Sequence, residues 1–278
     1  MGGDFRWQHL PVPFEVYADG IDLVVFEEFG SGAAALHLRD EVERNALLAD
    51  EAYRRQFRKD YDTKFGGVRV WHRDFFDAEI VACPDETVVG KSFGQVGMDR
   101  GELHPVDAFL DLVLEHGTKL RWRTTISNHR PEVLKKLARD PPGVQMGFSD
   151  AGAHLRNMAF YNYGLRLLRH VRDADRTGRP PFMSVEQAVH RMTGELADWY
   201  QIDAGHLRVG DRADLVVINP KRLDSQLDDY AEHPVEQYDG LPPRMVNRNN
   251  DAVDLVLIGG RAVVRDGEPT PVLGSERT

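Results

Sequence analysis

The run Gly147-Phe148-Ser149-Asp150-Ala151-Gly152-Ala153-His154 groups an acid, a hydroxyl and an imidazole within eight residues. It follows the apolar strand pattern Val144-Gln145-Met146 and precedes a long helical pattern. Asp150 therefore stands where a strand ends and a helix approaches. A carboxylate at that place can hold a metal ion. It can also take a proton from an attacking water and return it to a leaving group. Its alternative is an N-cap for the next helix. His154 can line such a site or hydrogen-bond at its rim.

Asn128-His129-Arg130 ends a second apolar pattern, Leu120 to Ile126. That address suits substrate contact, and it equally suits a helix cap. Arg156 carries a planar fork able to grip a substrate carboxylate, with a solvated arginine as the alternative. Gly147-x-Ser149 begins like a Gly-x-Ser-x-Gly nucleophile elbow, but Ala151 fills the last place. A serine hydrolase using Ser149 is thus a distant reading. Its base would come from His170, His190, His206 or His233. His72, beside Trp71 and Arg73, reads as structural. Cys83, before Pro84, reads as a buried small apolar residue. Asp211 and Asp214 read as turn residues.

The elements that must position these groups follow from periodicity and punctuation. Helices are expected over Asp40 to Leu48 and from Asp50, where Tyr53, Phe57 and Tyr61 share one face that packs into a core. His104-Pro105 opens a helix that Gly117 closes. Others are expected from Arg130 through Pro131 to Arg139, over Met158 to Arg176, from the Ser184/Gln187 capping box to Met192, and from Thr193 to Tyr200. Strands are expected over Ile21 to Phe29, Ala78 to Ala82, Leu120 to Ile126 and Val144 to Phe148. Successive strand–helix units predict a parallel sheet covered by helices. After Tyr200 the pattern becomes short strands and Gly turns, over His206 to Asn219 and Val253 to Val264. A boundary falls near Asp203 to Gly205.

The 278 residues carry a formal net charge of −10, with 41% hydrophobic and 29% charged residues. This is a globular composition whose acidity disfavours nucleic acid and anionic membrane as partners. One cysteine excludes an intrachain disulfide and fits a reducing cytoplasm. No apolar run approaches the roughly 20 residues that span a bilayer. The first residues lack the basic-then-apolar pattern of a signal peptide.

Three segments carry a family resemblance. They are FSDAGAH over 148–154, AVHRMTGELADWYQI over 188–202, and GHLRVGDRADLVVINP over 205–220 with VDLVLIGGRAVVRDGE over 253–268. Together they resemble the amidohydrolase superfamily, in particular its N-acyl-D-amino-acid deacylase branch. The resemblance implies an α/β fold: the C-terminal part of a metal-dependent (β/α)8 barrel over 1–204, then a small β-sandwich segment over 205–278. It implies one or two divalent metal ions, usually zinc. It implies hydrolysis of the amide C–N bond of a small N-acyl amino acid or related amide by metal-activated water. Asp150 takes the place of the last metal ligand and proton carrier. Asn128, His129, Arg130, His154 and Arg156 are the candidate substrate-binding residues.

The chain also departs from that pattern. Family members carry a His-x-His pair on the first barrel strand. The eleven histidines here stand at 9, 37, 72, 104, 116, 129, 154, 170, 190, 206 and 233, and no two are separated by a single residue. The full ligand set is therefore absent. A barrel needs about 250 residues, and only about 205 precede the β tail. The chain reads as lacking the front half of the enzyme. It would then be a non-catalytic remnant, or a subunit completed by another chain or by a second copy in a homo-oligomer.

Overall fold

A computed structural model describes residues 3–63, 70–139, 143–149, 154–177, 181–235, 240–246 and 251–274, apart from the Asp175 side chain. They form two units. One comprises Met1–Val12, Arg130–Leu155 and Ala159–Thr278; the other comprises Pro13–His129 and Arg156–Met158. The first strand, β1 (Trp7–His9), belongs to the former.

The unit over 13–129 runs β2 (Phe14–Asp19), a 3-10 turn (Val24–Glu28), α1 (Gly30–His37), α2 (Glu41–Ala49), α3 (Glu51–Asp62), β3 (Glu79–Ala82), α4 (Phe93–Asp99), α5 (Pro105–His116) and β4 (Arg121–Ser127). Its helices begin where side chains satisfy the first free N–H groups. Asp40 accepts from Glu43 N at 2.9 Å, and Asp50 accepts from Tyr53 N at 2.8 Å. Ser92 and Gln95 form a capping box at α4. Gly117, at φ 54°, closes α5 as expected.

Two expectations are corrected in this unit. Its three-stranded sheet has the order β2-β4-β3 and is antiparallel throughout, with Tyr17 opposite Arg123 and Ile80 opposite Trp122. The cause is α4, which the periodicity did not reveal. One helix between strands returns the chain parallel, but a second helix, packed against α5, brings it back antiparallel. The expected strand over Ile21 to Phe29 is instead the 3-10 turn leading into α1. A short apolar run buried on several sides does not declare its period.

The core of this unit is aromatic. Phe26, Phe57, Trp71, Phe75, Phe93, Phe109 and Trp122 are all fully buried. Phe75 stacks on Phe109 at 4.8 Å between centroids, and Trp122 meets Phe109 edge-on at 5.8 Å. Both indole N–H groups are satisfied, Trp71 by Thr124 Oγ1 at 3.2 Å and Trp122 by the Gly20 carbonyl at 2.7 Å. The α3 stripe faces this core: Phe57 is fully buried, Tyr61 stacks on Phe75, and the Tyr53 hydroxyl donates to the Ser31 carbonyl.

In the other unit, β1 pairs in parallel with β5 (Val144–Met146), after α6 (Pro131–Arg139). Trp7 lies opposite Val144 and His9 opposite Met146. Then come α7 (Tyr163–Arg176), α8 (Val185–Met192) and α9 (Gly194–Tyr200). The helix expected from Met158 starts only at Tyr163, where Asn162 Nδ2 donates to the Leu227 carbonyl. Arginines 166, 169 and 172 share one face of α7 and grip residues 220–228. Arg166 and Arg169 reach the Asp228 carboxylate at 2.8 and 2.6 Å. Arg169 also donates to the Asp224 carbonyl, and Arg172 to those of Pro220 and Leu223.

The tail forms one antiparallel sheet in the order β11 (Glu268–Pro269), β10 (Arg261–Arg265), β9 (Val253–Ile258), β6 (Leu215–Ile218). No side chain of β6 or β9 is buried, and Val216 and Val217 are 57% and 46% exposed although they point to opposite faces. Two-residue strands, β7 (Glu232–His233) and β8 (Arg244–Met245), pair separately. The structure is therefore mixed α/β. Among the described residues no closed barrel forms, and no helix is long and apolar enough to cross a membrane.

Replacing Phe109 with Ala opens a cavity among five aromatic rings. It should lower the stability of its unit by about 3–5 kcal/mol, whereas Val216→Thr should change stability by less than about 0.5 kcal/mol. Urea unfolding followed by tryptophan fluorescence checks the contrast; equal midpoints would contradict the assigned core.

Candidate functional site

Strand β5 is buried along its whole length. The Gly147 N–H continues the pairing to the His9 carbonyl at 3.2 Å. The Gln145 amide donates to the Tyr200 hydroxyl at 3.1 Å. Phe148 then adopts φ 101°. For a bulky side chain this is a strained backbone, at a cost of order 1–3 kcal/mol, and such strain collects where a loop must aim its side chains. Ser149 follows, half-buried. Asp150, with residues 151–153, lies outside the described residues. His154 is exposed.

Asn128 ends β4 at φ 60°, a left-handed conformation that Asn tolerates and that turns the chain out of the sheet. His129 is exposed, and its ring lies 5.6 Å from that of His72. His72 is itself 41% exposed, with Nε2 3.7 Å from Asp77. Arg130 stands just before Pro131, and its carbonyl accepts from Val133 and Leu134 at 3.0 and 3.1 Å. It performs the helix-opening role that the sequence left open. Arg130 and His154 belong to one unit, and Asn128, His129 and Arg156 to the other.

Arg156 makes the forked contact expected of it, but with an internal carboxylate. Its Nε and Nη2 lie 2.7 and 2.6 Å from the two oxygens of Asp19. Arg121 Nη1 adds a third contact to Asp19 at 3.1 Å, and Arg121 Nη2 donates to the Arg156 carbonyl. Asn157 seals the arrangement by exchanging hydrogen bonds with the Tyr17 backbone at 2.7 and 2.9 Å. This clamp fixes residues 156–158 along β2. Asp19 and Arg156 are 137 positions apart, so no local signal announces the pair.

Cys83 is buried as expected, and burial pushes its thiol up, away from the thiolate a metal needs. Among the described residues no group of three or more His, Cys, Asp or Glu side chains is placed to hold a metal ion. The described donor set does not fit a complete zinc site.

No family model matches the chain. Uncharacterized proteins of Mycobacterium bovis and Mycobacterium tuberculosis are 59% identical over 269 residues, which is 96% of this chain and 43% of theirs. The chain thus spans less than half the length of the curated relatives it matches. Among solved structures, a D-aminoacylase mutant in complex with copper chloride superposes with a TM-score of 0.39 and 18% identity, over 70% of this chain and 36% of that one. The N-acyl-D-glutamate deacylase of Bordetella bronchiseptica, complexed with zinc and a phosphonate inhibitor, gives 0.39 and 22%, over 70% and 37%.

The clamp yields a direct test. Asp19→Ala leaves two largely buried guanidiniums without their carboxylate and should destabilise the unit over 13–129 by about 3–5 kcal/mol. An unchanged thermal midpoint would return Arg156 to the substrate.

Proposed function

We propose that this chain is the C-terminal part of a metal-dependent amidohydrolase of the N-acyl-D-amino-acid deacylase kind. The longer protein hydrolyses the amide C–N bond of a small N-acyl amino acid. The observation that carries the reading is the GFSDAGAH segment at the end of a buried parallel strand, followed by the tail signature over 205–220 and 253–268. In barrel enzymes the catalytic groups sit at that end of the strands. The positive φ of Phe148 supports it, as a loop held in a costly conformation beside the acid.

Within residues 1–204 the parallel pair β1 and β5 supplies barrel strands, and residues 205–278 supply one layer of a β-sandwich. The tail sheet presents aliphatic side chains on both faces, which asks for a covering layer. Relatives more than twice the matched length have room for that layer and for the remaining metal ligands. Asp150 is the ligand and proton carrier from this chain. As base it takes a proton from the attacking water, and as acid it returns the proton to the departing amine. Arg130 and His154, in the same unit as Gly147, are the substrate contacts on this reading, while Arg156 is engaged by the Asp19 clamp.

Asp150→Asn in the longer protein should cut release of the free D-amino acid from an N-acetyl-D-amino acid by roughly 10²–10⁴-fold with the thermal midpoint kept. Near-normal turnover in that variant refutes the assignment. Labelling of Ser149 by a fluorophosphonate, with activity indifferent to chelators, would replace it with the serine hydrolase reading.

A further inference from the structure

Strand β1 puts a histidine in a dry place. His9 is 4% exposed, and its Nε2 has no hydrogen-bond partner among the described residues. A hydrogen bond to the Leu134 carbonyl reaches the ring from α6. Arg191 of α8 faces it as the neighbouring charge. Arg191 is itself buried, donates to the Val144 carbonyl of β5, and lies 3.4 Å from Glu195 Oε2 on α9. The other Glu195 oxygen is 3.3 Å from Arg6, just before β1. One carboxylate thus serves two guanidiniums beside this ring.

Among the described residues, the other elements packed here bring no balancing charge to the ring. On α6, Glu132 and Lys135 pair with each other at 2.9 Å, and Leu134 and Ala138 turn inward. On β5, Gln145 is engaged by Tyr200. Asp4 lies 3.6 Å from Arg6 and is exposed.

We infer that His9 is an acid-sensitive latch on the β1–β5 pair. Neutral, it fills the space between β1, α6 and α8; protonated, it sets a second buried cation against Arg191 and opens the strand pair that carries Gly147. A charge without a partner in a dry site is expelled or solvated, and here the ring can reach water only if β1 moves. The direction follows from the same geometry. Burial, and then the Arg191 charge, hold the ring's pKa below its ordinary 6.5. The open form therefore takes the proton first. The advantage of the closed pair is complete above about pH 6.5 and is lost as pH falls through the range below it. Strand opening stands apart from the proposed hydrolysis; only its effect on turnover rests on that reading.

Hydrogen exchange of this chain between about pH 5 and about pH 8, corrected for intrinsic rates, reads the latch. Protection of peptides over 5–12 and 143–149 should fall at least about tenfold on acidification, while α5 peptides hold. His9→Asn keeps a donor for the Leu134 carbonyl and cannot take the proton, so its profile should be flat. His170, half-buried with its pKa also pushed down, is the control: His170→Asn should follow the wild type. A pH-independent wild type, or a His9→Asn profile like the wild type's, overturns the latch. If His9→Asn does not fold, an NMR titration of the wild-type ring decides; a pKa at or above 6.5 overturns it equally.

Discussion

The constraint on which the rest of this structure depends is the parallel pairing of β1 with β5. Parallel strands cannot be joined by a tight turn and need a long crossover. Here the crossover holds everything from Pro13 to α6, including a whole unit with its own core. Trp7, Gln8 and His9 must find Val144, Gln145 and Met146 across that span. The pairing brings β5 and Gly147 to a defined place. It also buries His9 and Arg191 at the seam, where each polar group needs an answer. Arg191 has two, the Val144 carbonyl and Glu195. The His9 ring has one, and its spare nitrogen is the weak point of the seam.

The unit over 13–129 is stabilised differently. Seven fully buried aromatic rings form the centre of its apolar core, and both indole N–H groups are bonded. At its edge, Asp19 collects two arginines, one from β4 and one that follows GFSDAGAH in the chain. Taking one carboxylate and two guanidiniums from water is costly, and the arrangement persists because the geometry is forked and the carbonyl of Arg156 is also bonded. An arginine beside a candidate catalytic segment invites a substrate role. The clamp shows a second use for the same fork.

Much of the secondary structure was legible, because helix caps are local chemistry. Asp40, Asp50, Ser184 and the His104-Pro105 start all declare themselves within a few residues. Strand direction was not legible, because it hung on α4, a seven-residue helix too short to show a period. The run from Ile21 to Phe29 was misread because burial on several sides erases alternation. Of the candidate site, the strand before Asp150 and the strand end at Asn128 were readable. The Asp19–Arg156 clamp, the His72–His129 neighbours and the buried His9 depend on long-range contacts, to which spacing is blind.

The central claim is that the catalytic chemistry begins in this chain and is completed outside it. The most direct measurement compares two zinc-loaded proteins, this chain alone and a longer protein that contains it, by release of free D-amino acid from N-acetyl-D-amino acids. The account predicts turnover by the longer protein and none by the chain alone. Turnover by the chain alone, or none by the longer protein, would contradict it.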